Sequence, residues 1–342
     1  MGHFEWNVMP FGLKNAPSAF QRCMDENFKG MDKFLKVYID DILIFSATIG
    51  DHLQHVKSFL KRCRSRGVVL SSKKMVLFQR EITFLGHKIS HGNISIMDHS
   101  LEFVDKFPDQ LKDKVQLQRF LGCLNYVSGF YEKCAIDRKI LNQLLKKDAG
   151  AWTLEHTEAV KKIKDKVRNL KSLHPIDEEA PKIVFTDASD EGWGGALCQQ
   201  IAPNNIQICK FVSGVWDDSK KLKWPAVKKE LAAVVISIDK LSDFLMYRPF
   251  TVKSDCSALN SLIRKADHKE AVVIRWLMFL SHFDFKVEHI KGNANSLADM
   301  LSREYLKKEA ECNMVHFLPE DRYLQTDAGL EEPEDPNMVH FC

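Results

Sequence analysis

The sequence predicts a mixed α/β (α+β) chain built from more than one domain. Three observations carry that expectation. The chain has 342 residues, enough for two or three domains. Hydrophobic residues make up 45% and charged residues 28%, an ordinary globular composition. The texture also changes along the chain. Residues 1–91 mix helical and strand signals, residues 92–178 read as almost entirely helical, and from residue 182 to 304 the order is strand, strand, strand, helix, strand, helix, strand, helix.

In the first segment "NAPSAFQRCMDENF" and "DHLQHVKSFLKRCRSRG" read as helices, while "KVYID", "DILIFS" and "ITFLGHKIS" read as short strands rich in β-branched and aromatic residues. Asp40 and Asp41 join the first two strands and are expected in the tight turn of a hairpin. Such turns favour Asn-Gly or Asp-Gly, so two adjacent carboxylates there need compensation. Solvent supplies it if the tip is exposed; a divalent metal supplies it if the acids share a ligand.

In the second segment "LQRFLGCLNYVSGFY", "RKILNQLLKK" and "LEHTEAVKKIKDKVRNLKS" carry apolar residues at three- and four-residue spacing, as amphipathic helices do. "LHPIDEEAPK" reads as a linker by its prolines and acids. Residues 305–342 repeat "NMVHF" at Asn313 and Asn337, are acidic, and are expected to be disordered.

No apolar run approaches the roughly 20 residues of a membrane span, and "MGHFEWNVMP" lacks a signal-peptide layout. The nine cysteines are scattered without a CxxC pair, so neither a zinc site nor a disulfide framework is expected. A reducing compartment, cytoplasm or nucleus, is the expectation. Of the net charge of +3, a net −6 lies from Tyr305 onward, leaving +9 for residues 1–304. Lys57 to Lys74 holds seven bases and no acid. That run is either a solvated helix face or a phosphate-binding surface.

A second set of acids lies in the last folded segment. Asp187 ends a strand in "KIVFTDASDEGWGGALCQQ", Glu230 lies on the helix "WPAVKKELAAVVISIDKL", Asp255 ends the strand of "FTVKSDCSALNSL", and Asp299 lies on the helix of "FKVEHIKGNANSLADMLSR". Each acid alone has an ordinary explanation as a turn former, a solvated helix residue or a helix-start charge. Together, four carboxylates at one sheet edge repel unless cations bind, which suits two hard ions such as magnesium. Two metals about 3.5–4 Å apart activate water and stabilise the leaving oxygen of a phosphodiester.

These stretches, in this order, resemble the reverse transcriptase–ribonuclease H of plant pararetroviruses (caulimovirus type) and their gypsy-like retrotransposon relatives. "WNVMPFGLKNAPSAFQ" resembles the segment that shapes the nucleotide site, "YIDD" the polymerase catalytic box, and "FLGHKIS" the primer grip. "LQRFLGCLNYVSGFY" resembles the thumb and connection. "TDASDEGWGGAL", "KKELAAVV", "KSDCSAL" and "HIKGNANSLADMLSR" resemble the ribonuclease H motifs, and the match runs from about Gly2 to Arg303.

The resemblance implies a palm fragment over residues 1–91, a thumb/connection over 92–178, and a ribonuclease H-like domain with a five-stranded mixed sheet over 179–304. Asp40 and Asp41 would bind catalytic magnesium at the palm. Phe11, Gly12 and Lys74 would contact nucleotide or template. Asp187, Glu230, Asp255 and Asp299 would hold two Mg²⁺, with Mn²⁺ as a substitute. His289, ten residues before Asp299 and accompanied by Asn295, would carry protons during product release. The family's polymerase needs a further aspartate upstream of "GHFEWNVMPFGL", and Glu5 does not match that motif. The resemblance therefore implies an N-terminally truncated polymerase with weak synthesis, paired in function with a fuller polymerase chain or working alone. Two functions follow as expectations. One is a metal-dependent nuclease of RNA–DNA hybrids that also binds primer–template. The other is a catalytically silent nucleic-acid-binding relic of an integrated element.

Overall fold

In the computed structural model, residues 6–10, 12–203, 205–216, 219–264 and 270–290 are described. The chain divides into two compact units at Leu85 and Gly86.

The first unit holds α1 (Ala16–Asn27), the hairpin β1 (Leu35–Tyr38) and β2 (Asp41–Ile44), α2 (Ile49–Arg66) and β3 (Glu81–Phe84). α2 starts where Thr48 accepts a hydrogen bond from the Asp51 N–H at 3.1 Å, and it stops at Gly67, whose φ of 69° is left-handed. Met24 from α1, Phe28 just after it, Phe59 and Cys63 from α2 and Leu35 from β1 form the buried core.

The hairpin corrects one expectation. The strands pair as Leu35↔Ile44 through Tyr38↔Asp41, so the two turn residues are Ile39 and Asp40, and Asp41 already belongs to β2. Ile39 takes a φ of 52°, unusual for a β-branched residue. The turn is held by α1: the Ile39 N–H donates to Gln21 Oε1 at 2.6 Å, and Gln21 Nε2 donates to the Val37 carbonyl at 3.2 Å.

The second unit begins with the hairpin β4 (His87–Ser90) and β5 (Asn93–Ile96). Helices α3 (Lys114–Val127), α4 (Cys134–Asp137) and α5 (Leu154–Arg168) follow, with short helical turns between them. Leu117, Phe120, Leu121, Leu124 and Val127 form the buried stripe of α3 and pack with Val160, Ile163 and Val167 of α5. Asp113 caps α3 by accepting the Gln116 N–H at 2.7 Å.

A five-stranded mixed sheet completes the unit, in the order β10-β9-β6-β7-β8: β6 (Lys182–Ala188), β7 (Gly192–Ala202), β8 (Asn205–Val215), β9 (Phe250–Ser254) and β10 (Phe285–His289). β6–β7 and β7–β8 are antiparallel, whereas β6–β9 and β9–β10 are parallel. The run of five buried residues that opens β6 suits a central strand covered on both faces. One face carries α6 (Ala226–Lys240), with Leu231, Val234 and Ile238 buried. The close seat of α6 requires Gly195, because a Cβ there would lie 2.6 Å from Ser237 Oγ. The other face packs Phe185, Cys198 and Phe211 against Leu173 and Phe130 of the helical segment. That segment also bonds to the sheet edge, Phe211 N–H donating to the Gly129 carbonyl at 2.8 Å. The sheet face and its edge are thus both covered from upstream, and the expected boundary near residue 178 falls inside one compact unit.

Candidate active site: a carboxylate cluster at the sheet edge

β6 and β9 run parallel, so their C-terminal ends emerge at the same edge. Asp187 is the penultimate residue of β6, and Asp255 directly follows β9. Glu230 lies in the first half of α6, the helix that crosses this edge. One carboxylate oxygen from each of Asp187, Glu230 and Asp255 lies within 4.8 Å of the other two. Among the described residues this is the one group of three or more acids, histidines or cysteines close enough to share a metal.

The local hydrogen bonds aim Glu230 into the cluster. The Ala188 N–H donates to Glu230 Oε1 at 3.2 Å, and Ser254 Oγ reaches Oε2 at 3.5 Å. Glu230 is buried, at 8% exposure. Burial first, then the neighbouring charges of Asp255 and Asp187, push its carboxyl up to about 7. A cation would offset the repulsion of a buried acid facing two more acids, and the oxygen-only donor set fits a hard divalent ion.

Two other groups reach the cluster. His289 ends β10 with an exposed ring, its Nε2 3.1 Å from the Asp255 carbonyl. Lys133, immediately before α4, places Nζ 3.2 Å from Asp187 Oδ2. Its φ of 58° is left-handed. Sequence reading missed Lys133: it lies 54 positions upstream in a helical segment, and nothing local marks it. Behind the cluster, Lys229 Nζ holds Asp190 at 2.6 Å across the β6–β7 turn.

Asp299, Asn295 and Phe11, named from sequence, lie outside the described residues, as does the acidic segment from Tyr305. In the first unit Asp40 and Asp41 are exposed, Gly12 has a φ of 87°, and Lys74 is exposed on a 3-10 turn. Among the described residues Asp40 and Asp41 join no third potential metal ligand. Arg62, counted in the basic run, donates to the Asn27 carbonyl at 2.9 Å and so closes the end of α1.

Comparison with known proteins places this geometry. A family model described as reverse transcriptase (RNA-dependent DNA polymerase) matches residues 1–89, and one described as RNase H-like domain found in reverse transcriptase matches residues 177–283. The chain is 45% identical over 314 residues to the enzymatic polyprotein of Cauliflower mosaic virus (strain Strasbourg), covering 90% of this chain and 46% of that protein. In this order the two matched domains resemble the reverse transcriptase–ribonuclease H of the plant pararetroviruses. The enzymatic polyprotein of Figwort mosaic virus (strain DxS) is 42% identical over 308 residues, 89% of this chain and 46% of that one. The chain therefore spans about half the length of these curated relatives.

The fold agrees with this resemblance. A foamy viral protease-reverse transcriptase solved with double-stranded DNA superposes with a TM-score of 0.73 at 23% identity, covering 84% of this chain and 51% of that one. The same viral protein solved with an RNA/DNA hybrid gives 0.72 at 22% identity, covering 94% and 42%. The mixed α/β architecture expected from sequence is the one observed. In this chain the carboxylate cluster falls inside the span of the RNase H-like match, and the Tyr38–Asp41 hairpin inside that of the reverse transcriptase match.

Proposed function

We propose that this chain hydrolyses the RNA strand of RNA–DNA hybrids at the cluster of Asp187, Glu230 and Asp255, with two magnesium ions, and that Asp299 completes the ligand set. The observation that carries the reading is the convergence of three carboxylates with Glu230 pushed up to about 7. Divalent ions held there supply the charge that makes water nucleophilic at neutral pH and stabilises the departing oxygen. The chain's own groups do the rest. The Ala188 N–H fixes one oxygen of Glu230, which keeps that carboxylate turned inward as it ionises. Asp187 and Asp255, at the C-terminal ends of adjacent parallel strands, present oxygens from a rigid edge. His289 donates through Nε2 to the Asp255 carbonyl, which leaves Nδ1 free to carry a proton at the rim.

The foamy viral structures solved with double-stranded DNA and with an RNA/DNA hybrid support nucleic acid as the partner. The first unit is read as a palm segment; among the described residues its Asp40 and Asp41 join no third metal ligand, so synthesis by this chain alone is weak. A labelled RNA–DNA hybrid incubated with the purified chain tests the reading. It requires cleavage of the RNA strand with magnesium or manganese and none with a chelator. Hybrid binding without cleavage under either ion would favour a silent nucleic-acid-binding protein instead.

A further inference from the structure

A polar cavity opens at the α4 segment, whose preceding residue Lys133 reaches the cluster. It has a volume of about 270 Å³ and is lined by Asn125, Ser128, Arg138, Lys210, Ser213 and Lys240. Three cationic side chains thus face one space, from the α4 segment, β8 and the end of α6. None of the three has an acidic partner among the described residues. Lys210 Nζ lies 5.3 Å from the Phe244 ring centre, and Lys240 Nζ lies 6.0 Å from that of Trp193. Aromatic faces position both ammonium groups without neutralising them.

Arg138 gives one guanidinium N–H to Asn125 Oδ1 at 2.7 Å, while its Nε is buried and has no partner. A buried donor left unmade costs free energy. Three like charges around one cavity repel unless an anion joins them. Ser128 Oγ donates to the Asn125 carbonyl, and Ser213 Oγ accepts from the Ala135 N–H. Their hydroxyls are therefore fixed at the wall. A tetrahedral oxyanion matches this set: guanidinium and ammonium donors on several sides, no carboxylate, and room for water.

We propose that this cavity binds one backbone phosphate of the nucleic acid whose RNA strand is cut at the carboxylate cluster. The proposal rests on the hybrid-nuclease reading for the identity of the ligand. The spatial link is α4 and its flanks: Lys133 reaches Asp187, while Arg138, five residues later, lines the cavity. A phosphate held by Arg138, Lys210 and Lys240 fixes the register of the duplex on the sheet and so chooses which phosphodiester meets the acids. It carries no sequence information, as backbone contacts do not.

The test is hybrid affinity as a function of salt, measured on the full chain carrying Asp187→Asn so that no cleavage intervenes. Adding Lys210→Gln and Lys240→Gln should lower the slope of log affinity against log salt by about 0.9, one phosphate contact on the duplex-DNA scale. Affinity at fixed salt should fall about tenfold, the scale of one charge-assisted hydrogen bond. Lys210→Arg with Lys240→Arg should keep the original slope. The Gln pair should melt at the parent's temperature, which separates lost contact from lost fold. Equal slopes and affinities for the Gln pair and its parent overturn the proposal. If the chain binds no hybrid at all, the hybrid-nuclease reading falls. Inorganic phosphate then decides the cavity: a rise in melting temperature with phosphate that the Gln pair loses sustains an anion site, and no rise removes it.

Discussion

Lys133 Nζ and Asp187 Oδ2 lie 3.2 Å apart, joining the helical segment to the strand that carries the carboxylate cluster. The ammonium takes one of the positions around Asp187 that a cation would need. Both side chains are roughly half exposed, at 45% and 42%, so the pair is worth well under a buried one, about 0.2–1 kcal/mol. Lys133→Met should therefore raise the affinity for Mg²⁺ or Mn²⁺ by roughly two- to fivefold, read by calorimetric titration of the metal. Unchanged or weaker metal binding would show that Lys133 assists the site rather than competing for it.

Glu230 gives the chain a pH signature. Its carboxyl ordinarily titrates at 4.5 and is held at about 7 in the folded chain. The folded state thus binds this proton more tightly than the unfolded one. The associated stability is complete below about 4.5 and lost as pH rises through about 7. At pH 8 the metal-free chain has given up on the order of 3 kcal/mol at most. Glu230→Gln removes the titration, so the metal-free variant should melt roughly 5–10 °C above the wild type at pH 8 and level with it at pH 4. Added magnesium should stabilise only the wild type strongly. Equal melting temperatures at pH 8 would mean that burial and its acidic neighbours do not hold Glu230 protonated.

The Tyr38–Asp41 hairpin depends on Gln21. Its side chain answers the Ile39 N–H and the Val37 carbonyl across 18 and 16 positions. Gln21→Ala leaves both backbone groups without that partner next to a left-handed Ile39. The first unit should lose about 1–2 kcal/mol, seen as an earlier phase in urea unfolding of the full chain. A single unshifted transition would place the hairpin's support elsewhere.

Much of this was legible in the sequence, and what was missed has a physical pattern. Periodicity and strand composition located α1, α2, α3, α5, α6 and the strands that carry Asp187 and Asp255, because each follows from local spacing. The ordered acids pointed to one edge, and Asp187, Glu230 and Asp255 meet there. The hairpin register was misread by one residue. The apolar runs on either side placed both acids at the tip, but Gln21 on α1 supports Ile39 in the turn and Asp41 pairs with Tyr38 in the strands. Lys133 and the cations of the cavity at α4 were invisible because their meaning comes from contacts between distant segments. Arg62 looked like part of a phosphate-binding face, and its bonds to the α1 end are likewise long-range.

DNA synthesis on an RNA template by this chain alone should be near background. Asp40 and Asp41 are exposed and, among the described residues, join no third metal ligand. Asp40→Asn should leave that low level unchanged. Robust primer extension that Asp40→Asn abolishes would show that the hairpin assembles a working metal site without further acids.

The central claim is that the three converging carboxylates form a nuclease site, and Asp187→Asn tests it most directly. Asparagine keeps the size of the side chain and removes its charge, so the Lys133 contact and the cation site are weakened with little change in packing. Cleavage of the RNA strand of a labelled hybrid should fall by at least about a hundredfold, equivalent to roughly 2.7 kcal/mol of transition-state stabilisation, with hybrid binding retained. An Asp187→Asn chain that cleaves the hybrid at the wild-type rate would contradict the account.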